Sequence, residues 1–196
     1  MIREEKIDKI YRIIDDFKTI KKELIDDEKN FLTSEKYNCH LNNGKTIRRE
    51  RLVKGGKNGS AVIIVPKLQN GEYLMVVEPR VFTFHTVSIS FPAGYIEPNE
   101  SPINAALREL KEETGYEVYD NKDISLIDSY YQDEGVSEAY NYIYLFNNPI
   151  LLGKQNLDES EYIEYITLNK DEIDYLESLK LINGANTKLA LRKILK

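Results

Sequence analysis

The stretch Gly94 to Tyr116, reading GYIEPNESPINAALRELKEETGY, constrains this chain more than any other. It sets Glu109, Glu112 and Glu113 on one predicted helix, directly after a loop that contains glycine and proline. A helix turns about 100° per residue, so positions three and four apart share a face. These carboxylates therefore crowd into one stripe, where like charges repel by roughly a few tenths of a kcal/mol per pair. Fold stability alone does not favour such a stripe. A divalent cation removes the penalty, and hard oxygen ligands suit Mg²⁺ or Mn²⁺.

The limits of the helix are readable. Ser101 is a good N-cap, and Pro102 suits the first helical position. Ile103, Ala106, Leu107 and Leu110 recur at helical spacing and form the expected buried stripe. Gly115 fits the left-handed residue that ends a helix. The face carrying Glu109, Glu112 and Glu113 is then expected to look the other way, towards the preceding loop, where Glu100 joins the cluster. Arg108 lies four residues before Glu112 and is placed to pair with it and orient its carboxylate.

Taken together, Gly94, Glu100, Arg108-Glu109-Leu110, Glu112-Glu113 and Gly115 resemble the Nudix box. Tyr116 departs from it, standing at a packing position where an aliphatic residue is usual. The resemblance implies an α/β/α sandwich with a mixed sheet and a metal-dependent hydrolase. It implies that Glu109, Glu113 and the backbone carbonyl of Ala93 hold Mg²⁺ or Mn²⁺ near Glu100. Glu112 either binds the metal or holds its surroundings, with Arg108 beside it.

Stretches outside the box, over about residues 37 to 195, resemble the ADP-ribose pyrophosphatase branch of that family. Ile47-Arg48-Arg49-Glu50 is similar to a segment in which an Arg-Glu pair meets the nucleotide, often from the partner subunit. By that resemblance Arg49 grips phosphate and Glu50 contacts the sugar or base. Glu78-Pro79-Arg80 resembles a segment ending in a phosphate-binding arginine. Phe91-Pro92-Ala93-Gly94 leads into the box, and Val136-Ser137-Glu138 resembles the loop that carries a catalytic glutamate, which makes Glu138 the candidate base. The tail LINGANTKLAL resembles the closing helix. One difference stands out: the loop Asp133-Glu134-Gly135 has Glu134 where the branch has proline. A glutamate there either repels a substrate phosphate or binds another cation.

The rest of the chain reads as an α+β fold. A helix is predicted from about residue 3 to 28, with Ile7, Ile10, Ile14, Phe17 and Leu24 mostly on one face. Packing on its own domain is the first expectation for that face, and a dimer seam the second. Asn43-Gly44 predicts a hairpin between strands near Tyr37–Leu41 and Lys45–Val53. Further strands are expected at Ser60–Pro66, Tyr73–Glu78, Val87–Phe91, Ile124–Tyr131, Tyr140–Phe146 and Tyr162–Leu168, with closing helices at Lys170–Lys180 and Thr187–Leu195. Pro92-Ala93-Gly94 is read as a loop. The expected division is residues 1–56 as a helix and β-hairpin extension and 57–196 as the Nudix domain.

Lys and Arg number 27 against 33 Asp and Glu, a formal charge of −6. Such a chain is a poor general nucleic-acid binder, because phosphate affinity rests on Lys and Arg. The lone cysteine, Cys39, excludes an internal disulfide and fits a reducing cytoplasm. The charged start MIREEK has no apolar leader, and the longest aliphatic run, Ala61–Val65, is far too short to cross a bilayer. The expectation is a cytoplasmic pyrophosphohydrolase, with no nucleic-acid or membrane partner. It would act on a nucleoside diphosphate linked to X, with ADP-ribose, cleaved to AMP and ribose 5-phosphate, as the leading case. By resemblance it is a homodimer. The alternatives are another X (a sugar nucleotide, a dinucleotide cofactor or a dinucleoside polyphosphate), or a Nudix domain that senses a nucleotide without cleaving it.

Overall fold

The computed structural model describes residues 4–18, 30–55 and 58–195. Along them run α1 (Glu4–Lys18), β1 (Leu32–His40), β2 (Thr46–Lys54), β3 (Ala61–Lys67), β4 (Tyr73–Pro79), β5 (Val87–Ser90) and β6 (Ala93–Tyr95). After them come α2 (Pro102–Thr114), β7 (Tyr116–Glu117), β8 (Ile124–Tyr131), β9 (Tyr140–Asn147), β10 (Ile150–Leu151), β11 (Glu164–Leu168), α3 (Lys170–Ser178) and α4 (Ala185–Ile194).

The main sheet has the order β11-β4-β3-β9-β8, with β5 added to β4 and β6 to β3. Only the β3–β9 pair is parallel; the other pairings are antiparallel, so the sheet is mixed. The apolar run of β3 needs cover on both faces, and it has it. Alternate side chains point to opposite faces. Val62 and Ile64 meet Ala105, Ala106 and Leu110 of α2 on one side. Ile63 and Val65 face a larger core on the other, built with Ile10 and Ile14 of α1, Ile173 and Leu176 of α3, and Ala190 and Leu191 of α4. This is the expected α/β/α arrangement, and α1 packs on its own domain. Lys6 fastens it, its Nζ 2.8 Å from carboxylates of both Glu72 and Glu172.

Several boundaries differ from expectation. Ile13 of α1 is buried alongside Ile10 and Ile14. The expected continuation of α1 to residue 28, with Leu24, lies outside the described residues, as does the side chain of Phe17. Strand β1 starts well before Tyr37, because it is exposed along nearly all its length and so shows no inside–outside alternation. Pro92-Ala93-Gly94 is not wholly loop: Ala93–Tyr95 pairs with Ala61–Ile63. The small β7–β10 pair was not expected. Among the described residues no helix is long and apolar enough to cross a membrane.

Candidate active site

Helix α2 carries the centre of the site, and its ends are fixed as its sequence demands. The Ser101 hydroxyl accepts from the amide of Asn104, and Gly115 takes a left-handed conformation (φ 74°) that closes the last turn. The buried face is where expectation needs correction. Ile103 and Leu107 are only partly buried, while Ala105, Ala106 and Leu110 are wholly so. Glu109 and Glu113 look towards the preceding loop as expected, but they lie deeper than the stripe of charges suggests, buried at 9% and 5% exposure. The cause is β6, held beside the helix by its pairing with β3. Gly94 makes the close approach possible: a Cβ there would lie 2.0 Å from the Glu109 carboxylate. The amide of Ala93 donates to Glu113 Oε2 at 3.2 Å.

Arg108 binds this cluster together. Its Nε and Nη2 take Glu100 in a fork, both at 2.9 Å. Its Nη1 donates to Glu109 at 2.7 Å and to Glu112 at 3.0 Å, and Nη2 also reaches the Tyr95 carbonyl at 3.0 Å. A guanidinium has five N–H donors in a rigid plane, so every donor is used. The predicted Arg108–Glu112 pair is present, and Glu100 does join the cluster.

One cation among this many carboxylates leaves an excess of negative charge. Burial pushes Glu113 well above the usual carboxylate range, and the charges of Glu109 and Glu78 push it further. Glu109 is also raised by burial, against the pull of Arg108. Glu78 is raised by burial too, opposed by Arg80, whose Nη2 lies 2.6 Å away, and by the hydroxyl of Ser90. Among the described residues, no three Asp, Glu, His or Cys side chains converge as they stand on one ion-sized point. The donor chemistry nonetheless suits a hard divalent cation: it is all oxygen, partly desolvated and short of positive charge.

Glu78, Arg108, Glu109, Glu112 and Glu113 line one cavity of about 600 Å³, together with Arg80, Gln132, Asn156, Glu161 and Asn186, whereas Glu100, expected beside the metal, is not in its lining. Glu161 was missed in the sequence. It arrives on the 152–163 segment, which hangs on the end of α2. The amides of Leu152 and Gly153 donate to the Gly115 carbonyl, Asn156 N to that of Glu112, and Gln155 Nε2 to that of Glu113 at 2.6 Å. Within it, the Asp158 amide donates to Glu161 Oε2 at 3.1 Å. The Glu161 charge raises Glu78, Glu109 and Glu113 alike. The available signal was the acidic run Asp158-Glu159-Ser160-Glu161 just before a strand.

The other expected site residues lie elsewhere. Glu138 is half exposed on the β8–β9 loop, 2.6 Å from Arg51, which also binds Glu35. It is not among the residues lining the carboxylate cavity. Arg49 and Glu50 stand exposed on β2, paired across the hairpin with Tyr37 and Lys36. Glu134 is exposed on the same loop as Glu138. Arg80 does line the cavity.

Comparison with known proteins bears on the family and the fold. A family model for the NUDIX domain matches residues 57–184. The chain is 30% identical over 153 residues to an ADP-ribose pyrophosphatase of Bacillus subtilis, with 78% of each protein covered. It is 30% identical over 156 residues to a methanol dehydrogenase activator of Bacillus methanolicus, again with 78% of each covered. A mouse ADP-sugar pyrophosphatase is 42% identical over a shorter stretch of 79 residues, 37% of this chain and 36% of that one. Among solved structures, an ADP compounds hydrolase has the same fold, with a TM-score of 0.71 at 24% identity, covering 86% of this chain and 87% of that one.

Proposed function

The chain belongs to the Nudix family and is a pyrophosphohydrolase of the ADP-ribose pyrophosphatase kind, and we propose that its substrate is ADP-ribose, cleaved to AMP and ribose 5-phosphate. The observation that carries this reading is the pair of buried carboxylates, Glu109 and Glu113, facing a cavity that also holds Arg80. Glu109, Glu113, Glu112 and the carbonyl of Ala93 would hold Mg²⁺ or Mn²⁺. Bound there, such a cation supplies Lewis-acid neutralisation of the diphosphate charge.

The chain's own residues supply the rest. Arg108 fixes Glu100, Glu109 and Glu112 in place. Arg80 presents a bidentate fork to a phosphate. The proton of the attacking water needs a nearby acceptor, and geometry comes first in choosing one. Glu161 meets that condition from within the cavity. Glu138 meets it only if its pair with Arg51 opens. The exposed Arg49 and Glu50 suit contact with a nucleotide in the site of a second copy, within a cytoplasmic homodimer.

The test is hydrolysis across a panel with Mg²⁺ and with Mn²⁺: ADP-ribose, GDP-mannose, dinucleotide cofactors and dinucleoside polyphosphates. Preference for ADP-ribose is the expected result and shows that Glu134 replaces the usual proline without loss. Preference for another compound moves the substrate and keeps the site. Tight binding without turnover of any compound overturns the hydrolase assignment in favour of a sensor.

A further inference from the structure

Glu161 lies exposed on residues 152–163, which form neither helix nor strand. Its charge nonetheless reaches Glu78, Glu109 and Glu113. Loops are mobile unless bonded down. A proton acceptor has to be held closely, since displacement of about 1 Å costs about 10²-fold in rate. The bonds that hold this segment therefore decide what Glu161 can do.

The anchor is the end of α2. The last turn of a helix leaves carbonyls without partners inside the helix, and here the segment supplies the donors. The amides of Leu152 and Gly153 donate to the Gly115 carbonyl at 3.1 and 3.2 Å, and Asn156 N donates to that of Glu112 at 2.8 Å. Gly115 permits the approach, because a Cβ there would lie 2.7 Å from the Gly153 carbonyl oxygen. These bonds hold the beginning of the segment, and Glu161 comes near its end.

Gln155 holds both ends at once. Its Nε2 donates to the Glu113 carbonyl at 2.6 Å and to the Ile163 carbonyl at 3.0 Å. A side-chain amide has two N–H donors, and the two carbonyls use both. Ile163 is buried at 7% exposure and directly precedes β11, so the far end is a firm one. The chain from Gln155 to Ile163 is thereby drawn into a closed arch. Within the arch Glu161 N donates to the Asp158 carbonyl at 2.9 Å, and the Asp158 amide donates back to Glu161 Oε2 at 3.1 Å. Glu113 receives Gln155 on its carbonyl while its own carboxylate, the most buried of the cluster, faces the cavity. An uncharged amide makes this link without adding a cation beside the carboxylates. Gln155 itself is half-buried and is not in the cavity lining, so it acts through Glu161.

Resting on the reading of Glu161 as the proton acceptor, we propose that Gln155 is a positioning residue: it cross-links the arch to α2 and sets Glu161 over the Glu109–Glu113 pair before any ligand arrives.

The test is a double-mutant cycle of Gln155→Met and Glu161→Gln, run on the full chain with the compound of the panel that turns over fastest. Methionine keeps the length of the side chain and removes both donors. Gln155→Met should lower kcat roughly tenfold or more and leave KM within about twofold. In the Glu161→Gln background the same change should alter kcat by less than about twofold, because no acceptor is left to misplace. Melting curves of all four proteins give the folded fraction, and rates are taken per folded molecule. A merely structural role would lower kcat equally in both backgrounds, and that result overturns the proposal. So does full turnover in Gln155→Met beside a slow Glu161→Gln, which leaves the base reading intact. Full turnover in Glu161→Gln refutes the base reading itself and takes the positioning role with it.

Discussion

Arg108 and Arg49 show how differently two charged regions of this molecule are built. Arg108 spends every donor on its neighbours, at 2.7 to 3.0 Å, and holds carboxylates that are partly out of water. Arg49, on the hairpin, has an exposed side chain whose Nη1 donates at 2.8 Å to the carbonyl of Arg48 beside it. Charges fixed and desolvated before a ligand arrives interact strongly and cost no reorganisation. Charges on an exposed strand are screened, and their pairs contribute little. The carboxylate cavity is a prepared site, whereas the hairpin is a charged surface that needs a partner or ligand to give it geometry.

Glu113→Gln should separate the regions most sharply. The amide keeps the shape and removes the charge at the most buried carboxylate of the cluster. Turnover should fall by roughly 10²–10³-fold, the scale of losing one preorganised charged group. The melting temperature should hold or rise, because a buried like charge is gone. Near-normal turnover would break the comparison, since the prepared site would then be idle. Gly94→Ala attacks the same site through the backbone. Its Cβ would fall 2.0 Å from the Glu109 carboxylate, so that side chain must move. Displacement on the order of 1 Å costs about 10²-fold in rate, and kcat should fall more than KM rises.

A pair of variants sharpens the comparison next. Glu161→Gln, inside the cavity, should lower kcat by about 10²-fold, as loss of a general base does. Glu138→Gln, on the loop tied to the hairpin, should change it by less than about threefold if its Arg51 pair persists in the working enzyme. Steady-state kinetics decides, and the reverse order would return the base to Glu138 and show that its loop closes on substrate.

How much of this could be read from the chain depends on how far each feature reaches. Helix α2 was legible because Ser101, Pro102 and Gly115 act within a turn of themselves. The cover on both faces of β3 was legible because Val62–Val65 holds no polar residue. The depth of Glu109 and Glu113 was not. Helical period tells which residues share a face, not what lies over that face, and β6 is set there by pairing with β3, some thirty residues earlier. Glu161 was hidden for the same reason, since it comes over the site through bonds from residues 152–156 to Gly115 and Glu112. On β1 the alternation that marks a strand is absent because little of it is buried.

The smallest expected effect concerns protons, and it tests the burial argument without substrate. Glu113 and Glu109 have folded-state pKa values above the ordinary 4.5. Between 4.5 and those raised values the folded chain binds more protons than the unfolded one. Stability then falls as pH rises through that window and levels off above it. Glu35, Glu72 and Asp128 are lowered instead, so their contribution is present above the ordinary carboxylate range and lost below it. The difference between the unaltered chain and Glu113→Gln isolates the buried cluster from that surface background. In chelator, the unaltered chain should lose melting temperature relative to Glu113→Gln by a few degrees as pH rises from about 4.5. A divalent cation such as Mg²⁺, if held there as proposed, would bind the ionised carboxylates, so its stabilising effect should grow over the same pH range and shrink in the variant. Parallel melting curves for the two proteins at every pH would mean that Glu113 is no more desolvated than the hairpin's Glu35, and the distinction between the two regions would fail at its root.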